Sequence, residues 1–292
     1  MQQPVHLVRR ATPLGGLRYA LVSFWEERCL AVVKRTTIDK TITLHWELVP
    51  AAPAIFTCET APPVLQQPSL TALEKALLLL ATLYQRLEMD ATPAGQLLAL
   101  RNHAELLRTW ATVREELIRR SGGEDEVTQI LLQSVGAQLQ HPEAILASLR
   151  HDYTFAFLLP DLYQQRFESS FGYEQAQEFP LFFTDISLWF QEQLAVIAPA
   201  MPGRALLRAS GTLQAARTDL VAVARQVDSA FAAANLPARP TDPATVRATY
   251  EATFDLDAGT GWPVTVEASV VCRAGDTYRK EYFLRFEQLP TS

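Results

Sequence analysis

The 292-residue chain has only three cysteines, Cys29, Cys58 and Cys272, and they stand far apart. No CxxC pair occurs, which excludes a structural zinc site built from four thiolates. The odd, sparse count fits a reducing compartment rather than a disulfide framework. Lysine is also scarce: Lys34, Lys40, Lys75 and Lys280 are the only four among 26 basic residues, and the arginines are scattered. With a formal net charge of −6, the chain lacks the concentrated basic surface that nucleic-acid binding requires. Its longest apolar runs, residues 76–81 and 194–201, fall far short of the roughly 20 residues of a membrane span. Residues 1–16 show no apolar core behind a basic start, so no secretory signal is read and a cytoplasmic location is expected.

The motifs of common chemistry are missing too. There is no GxxxxGK[ST], GxSxG or HExxH pattern. Gly259-Thr260-Gly261 lacks the third glycine and the strand-to-helix setting of a dinucleotide site, and reads as a hairpin turn. Five histidines, His6, His45, His103, His141 and His151, are spread along the chain without metal-ligand spacing. No metal and no cofactor are expected.

What is present is the patterning of a folded α+β chain, 48% apolar and 20% charged. Its middle is organised around residues 95–120. A short apolar strand over 97–100 breaks at Asn102, an N-cap residue with Glu105 three positions on. Leu106, Trp110, Val113 and Leu117 then recur at helical spacing. Upstream, residues 17–49 read as a three-stranded meander with turns at Glu26-Glu27 and Asp39-Lys40, and Leu30 to Val33 as a strand buried on both sides. Five prolines over 50–68 mark a linker or surface crossing rather than a central strand. Thr71-x-x-Glu74 is a capping box opening a helix of about five turns to Leu87, buried on more than one side.

After residue 120, a helix with Ile130, Leu131, Val135 and Leu139 inward is expected, then a short one begun by Pro142. Residues 153–183 are rich in aromatics without a clear period. A strand starting at Ile186, another over 206–213 and a helix over 215–235 follow. The last 47 residues alternate most cleanly. Val246, Ala248, Tyr250, Ala252, Phe254 and Leu256 form one apolar face, Val264 to Cys272 the next, and Tyr278, Tyr282, Leu284 and Phe286 the third. Arg247, Glu251, Glu267, Arg279, Glu281 and Arg285 lie on the wet face.

The expected fold is therefore α+β, with antiparallel β-meanders at both ends and a central helical segment. Its parts are residues 1–102, 103–184 and 185–292, as three segments or one continuous domain. With no catalytic constellation evident, the expected function is that of a non-enzymatic protein-binding or adaptor protein. The aromatic stretch supplies the candidate binding residues Tyr153, Phe155, Phe157, Tyr163, Phe171 and Tyr173, since interface cores favour such side chains. One alternative is a small-molecule hydrolase using His103, His151 and Asp152, the nearest approach to a titratable cluster; another is an apolar-ligand carrier. A protein partner is expected, with no nucleic acid and no membrane span.

Overall fold

In the computed structural model, residues 5–6, 9–66, 69–121, 126–160, 166–167, 173–197, 202–237 and 240–290 are described. They hold a large antiparallel sheet of 12 strands, a separate pair of short strands and six α-helices. The strands are β1 (Val5–His6), β2 (Leu17–Cys29), β3 (Val32–Glu47), β4 (Ala54–Thr60), β5 (Val64–Leu65), β6 (Arg86–Ala91), β7 (Leu97–Leu100), β8 (Arg166–Phe167), β9 (Tyr173–Phe183), β10 (Ile186–Val196), β11 (Arg204–Leu213), β12 (Val246–Asp257), β13 (Pro263–Ala274) and β14 (Tyr278–Gln288). The helices are α1 (Ala72–Ala81), α2 (His103–Ser121), α3 (Glu126–Leu139), α4 (Pro142–Arg150), α5 (Tyr153–Leu158) and α6 (Leu220–Ala233). Strands thus lie toward both ends and most helices between them, as the patterning implies.

The chain divides into two compact units. One takes Val22–Thr37 and Gln164–Glu287, the other Val8–Leu21 and Ile38–Tyr163, so β2 and β3 each contribute residues to both.

In the unit containing Ile38–Tyr163, the strand order is β7-β6-β4-β3, with β5 also on β3. Ile42, Leu44 and Trp46 of β3 are buried, as are Phe56 and Cys58 of β4 and Leu87, Met89 and Ala91 of β6. The capping box of α1 is present: the Glu74 backbone N–H donates to the Thr71 hydroxyl, and the Thr71 N–H to the Glu74 carboxylate at 2.8 Å. Leu106, Trp110, Val113 and Leu117 of α2 are all buried. Asn102 ties that helix to β6, accepting from the Glu88 N–H at 3.1 Å and donating to the Arg86 carbonyl at 2.9 Å.

Several expectations are corrected here. The N-terminal meander is two long strands, not three. Glu26-Glu27 and Asp39-Lys40 lie inside β2 and β3, and the turn falls at Leu30-Ala31. Leu30, Val32 and Val33, expected to be buried on both sides, are exposed. The proline-rich segment contains β4, paired on both edges; its prolines flank the strand and spare its ladder hydrogen bonds. The helix expected to reach Leu87 stops at Ala81, and Leu87 belongs to β6. Nor is α1 buried on several sides: Leu80 is its only buried residue, and Leu73 and Leu77 are exposed. In α3 Ile130 faces out, while Thr128, Leu132 and Leu139 are buried. Ile130-Leu131-Leu132 is a continuous apolar run, and periodicity alone cannot choose which of its faces turns inward.

In the unit containing Gln164–Glu287, the strands run β14-β13-β12-β11-β10-β9, and residues 22–29 of β2 lie beside β14. The C-terminal meander is as expected. β12 pairs with β13 through Ala248↔Cys272 and Tyr250↔Val270, and β13 with β14 through Val270↔Tyr282 and Cys272↔Lys280. On α6, Val223, Val227 and Phe231 are buried. The aromatic-rich region yields a strand with no clear period in the sequence, β9.

Candidate functional site

On β14 the side chains at 278, 280, 282, 284 and 286 share one face, because successive residues of a strand alternate sides. Four of these five are apolar or aromatic and buried: Tyr278, Tyr282, Leu284 and Phe286. The fifth is Lys280. On the neighbouring strand β2 the same alternation puts Trp25, Glu27 and Cys29 on one face. Tyr278 donates its phenolic hydrogen to Glu27 Oε1 at 2.7 Å, fixing the two strands' side chains against each other.

The third wall comes from the end of β9. Strand alternation would turn Phe179, Leu181 and Phe183 inward together. Leu181 instead takes a left-handed φ of 55° and is exposed, which places the adjacent Phe182 and Phe183 both in the interior. Thr184, a β-branched residue, follows at φ 35°. Left-handed backbone at two non-glycine positions costs on the order of 1–3 kcal/mol each and persists only where packing holds it. Here the packing is aromatic. Trp25 lies 5.3 Å from Phe182 and 4.7 Å from Tyr282, and Phe182 lies 5.2 Å from Phe183, centroid to centroid.

Two of these rings, Trp25 and Phe182, border an open cleft of about 300 Å³. Lys280 also lines it, with Glu26, Glu27, Lys34, Thr36 and Thr184 as further polar lining residues. The Lys280 amine sits 4.7 Å from the Phe183 ring centroid, 5.4 Å from Trp25 and 5.8 Å from Phe182. Burial lowers its pKa below the ordinary lysine range, and Glu27 and then Cys272 oppose that shift. Burial raises Tyr278 above the usual phenol range, and the Glu27 carboxylate raises it further. The neighbouring thiols are inert: burial pushes Cys272 up to about 12 and also raises Cys29. The result is one cation among aromatic faces, a carboxylate held by a tyrosine, and open volume beside them.

Of the residues singled out in the sequence, His103, His151, Asp152, Tyr153, Phe155 and Phe157 lie in the other unit. His103 makes its ring contact with the Leu139 carbonyl, 2.7 Å from Nε2. Asp152 caps α5 by accepting from the Thr154 N–H, and His151 is exposed at the end of α4. No hydrogen bond joins these three. Asp152 does border a cavity of about 340 Å³ with Lys40, Cys58, Thr60 and Thr154. There Lys40 donates to the Thr154 hydroxyl at 3.3 Å, and burial pushes Cys58 up to about 11. Phe155 and Phe157 are buried, Phe155 edge-on to Phe56 at 6.4 Å, and Tyr153 is half-buried. Tyr163 and Phe171 lie outside the described residues, and for Tyr173 only the backbone, in β9, is described. Among the described residues no group of three or more His, Cys, Asp or Glu is placed to hold a metal ion, and no helix is long and apolar enough to cross a membrane.

The cleft was missed because its residues are distant in sequence. One signal pointed to it: Lys280 is a charge at an inward position of an otherwise apolar strand face. Glu192 on β10 carries the same signal, between Phe190 and Leu194, and it is buried.

No family model matches the chain, and no curated protein matches it. Among solved structures it is similar to one described as "Lipid-protein interactions in lipovitellin", with a TM-score of 0.48 and 9% identity, over 94% of this chain and 26% of that one. The chain therefore spans about a quarter of that protein's length. A likeness of this degree carries no argument about function.

Proposed function

We propose that the protein is a non-enzymatic binding protein, and that the cleft of Trp25, Phe182 and Lys280 takes a small, flat, apolar molecule bearing one oxygen acceptor. The observation that carries this reading is an open cleft that Lys280 lines together with Trp25 and Phe182. Ligand sites of this kind combine mostly apolar walls with a few placed polar groups, in volumes of about 300–1,000 Å³. The rings offer stacking area, and the amine offers a donor on a strand that packing holds rigid. Benzyl alcohol is a suitable probe. It should bind the parent protein and lose most of its affinity for Trp25→Ala and for Lys280→Met. Equal affinity in all three proteins would refute the reading.

A protein partner is the second reading, and α1 favours it. Its sequence is almost wholly apolar, yet Leu73 and Leu77 stand exposed. Beside it a cavity of about 660 Å³ is lined by Leu79, Leu117 and Leu131, with Lys75 and Arg120 also among its walls. An amphipathic helix with acidic flanks fits such a groove. Leu77→Lys should abolish association with a partner of that type and leave folding unchanged. Association that survives the substitution would remove α1 from the interface.

A further inference from the structure

The cleft holds more than a binding surface, and resting on the first reading above, we propose that Lys280 forms a reversible imine with small aldehydes bound against Trp25 and Phe182. Four features of the geometry converge on this. The amine lies beside open volume of about 300 Å³, large enough for a substituted ring. No hydrogen bond or ion pair engages Lys280 among the described residues, so its nitrogen is not committed to an internal acceptor. Glu27 acts on it electrostatically, and that carboxylate is positioned by the Tyr278 hydroxyl at 2.7 Å. The three ring faces, finally, stabilise a cation at the nitrogen.

The ring faces matter in both directions. They favour the ammonium, which opposes attack by the free amine. They favour the iminium equally, since it carries the same single positive charge at the same place. The equilibrium between the two is therefore not biased against the adduct by the rings. Burial acts on the first step, because it raises the share of free amine near neutral pH, the recognised route to a nucleophilic lysine.

The step balances without any further reagent. No direct hydrogen bond joins Lys280 to Glu27, so its ammonium gives a proton to Glu27 through one intervening water, and the free amine attacks the aldehyde carbon. A C–N bond forms while the C=O π bond breaks, and the amine proton passes to the oxygen. Glu27 then returns its proton to that hydroxyl. The C–O bond breaks, water leaves, and the nitrogen lone pair closes the C=N bond. Ammonium and aldehyde have become iminium and water, with charge conserved and nothing oxidised or reduced.

The chain's small lysine count makes the test clean, since Lys34, Lys40 and Lys75 are the only other lysine side chains to map. The full chain is incubated with benzaldehyde and cyanoborohydride near neutral pH, and the N-benzyl groups are located by peptide mass spectrometry. The expected result is labelling of Lys280 well ahead of the other three, suppressed by excess benzyl alcohol and slowed in Glu27→Gln. Lys280→Arg removes the amine and should remove this label. Labelling spread evenly over four lysines, with benzyl alcohol still bound by the parent, would overturn the imine and leave the binding cleft standing. Failure of both probes would overturn the two readings together. A Glu27→Gln protein labelled as fast as the parent would take Glu27 out of the proton transfers.

Discussion

The Tyr278 hydroxyl and Glu27 Oε1 meet at 2.7 Å across 251 positions of sequence, and this bond positions the carboxylate of the candidate cleft. Tyr278 is buried and its donor has a charged acceptor, so the bond is of the stronger kind. Tyr278→Phe keeps the ring and removes the donor. It should lower stability by about 1–3 kcal/mol in urea unfolding, because it leaves a part-buried carboxylate without that donor. An unchanged midpoint would mean that water serves Glu27 as well as the phenol does.

Glu192 gives the protein a pH dependence of defined sign. Burial pushes its carboxyl up to about 7, with Gln175 opposing the shift through a 3.5 Å contact. In the unfolded chain a glutamate titrates near the usual value of about 4.3. The folded-state pKa is therefore the raised one. Its contribution is fully present below the unfolded pKa and is lost as pH rises through the folded pKa. Parent stability measured against that of Glu192→Gln should fall by on the order of 3 kcal/mol between pH 4 and 8. A difference that stays flat over this range would mean that Glu192 is solvated.

Trp110 and Ile130 offer a contrast within the helical layer. Trp110 is 8% exposed and Ile130 is 58% exposed. Trp110→Ala should cost roughly 3–5 kcal/mol, the range for deleting a buried aromatic side chain. Ile130→Ala should stay within about 0.5 kcal/mol, as surface changes do. Equilibrium unfolding of both variants checks the pair. Similar losses in the two would show that α3 packs with Ile130 inward.

The parts legible in the sequence are those where one local rule acts alone. β12, β13 and β14 have one wet face and one buried face, so their alternation is uninterrupted. The α2 stripe and the Thr71–Glu74 capping box are equally local. Other parts were obscured where two rules overlap. Leu87 satisfies the helical spacing of α1 and also the alternation of β6 with Met89 and Ala91, and no glycine or proline separates the two elements. The turn at Leu30-Ala31 carries no turn residue; Leu30 adopts φ 53° while its N–H donates to the Thr277 carbonyl at 2.8 Å, a bond that no sequence window contains. The cleft combines three distant segments and depends on a backbone inversion at Leu181, which composition does not encode. Lys280 alone was visible, as a charge on an apolar face.

The binding cleft is tested most directly by the indole N–H signals of the five tryptophans, Trp25, Trp46, Trp110, Trp189 and Trp262. Trp25→Phe assigns the Trp25 signal in the proton–nitrogen spectrum, and the parent protein is titrated with benzyl alcohol. Saturable movement of the Trp25 signal, with those of Trp110 and Trp189 unmoved, is the result the cleft predicts. A Trp25 signal that stays in place at saturating probe would contradict it.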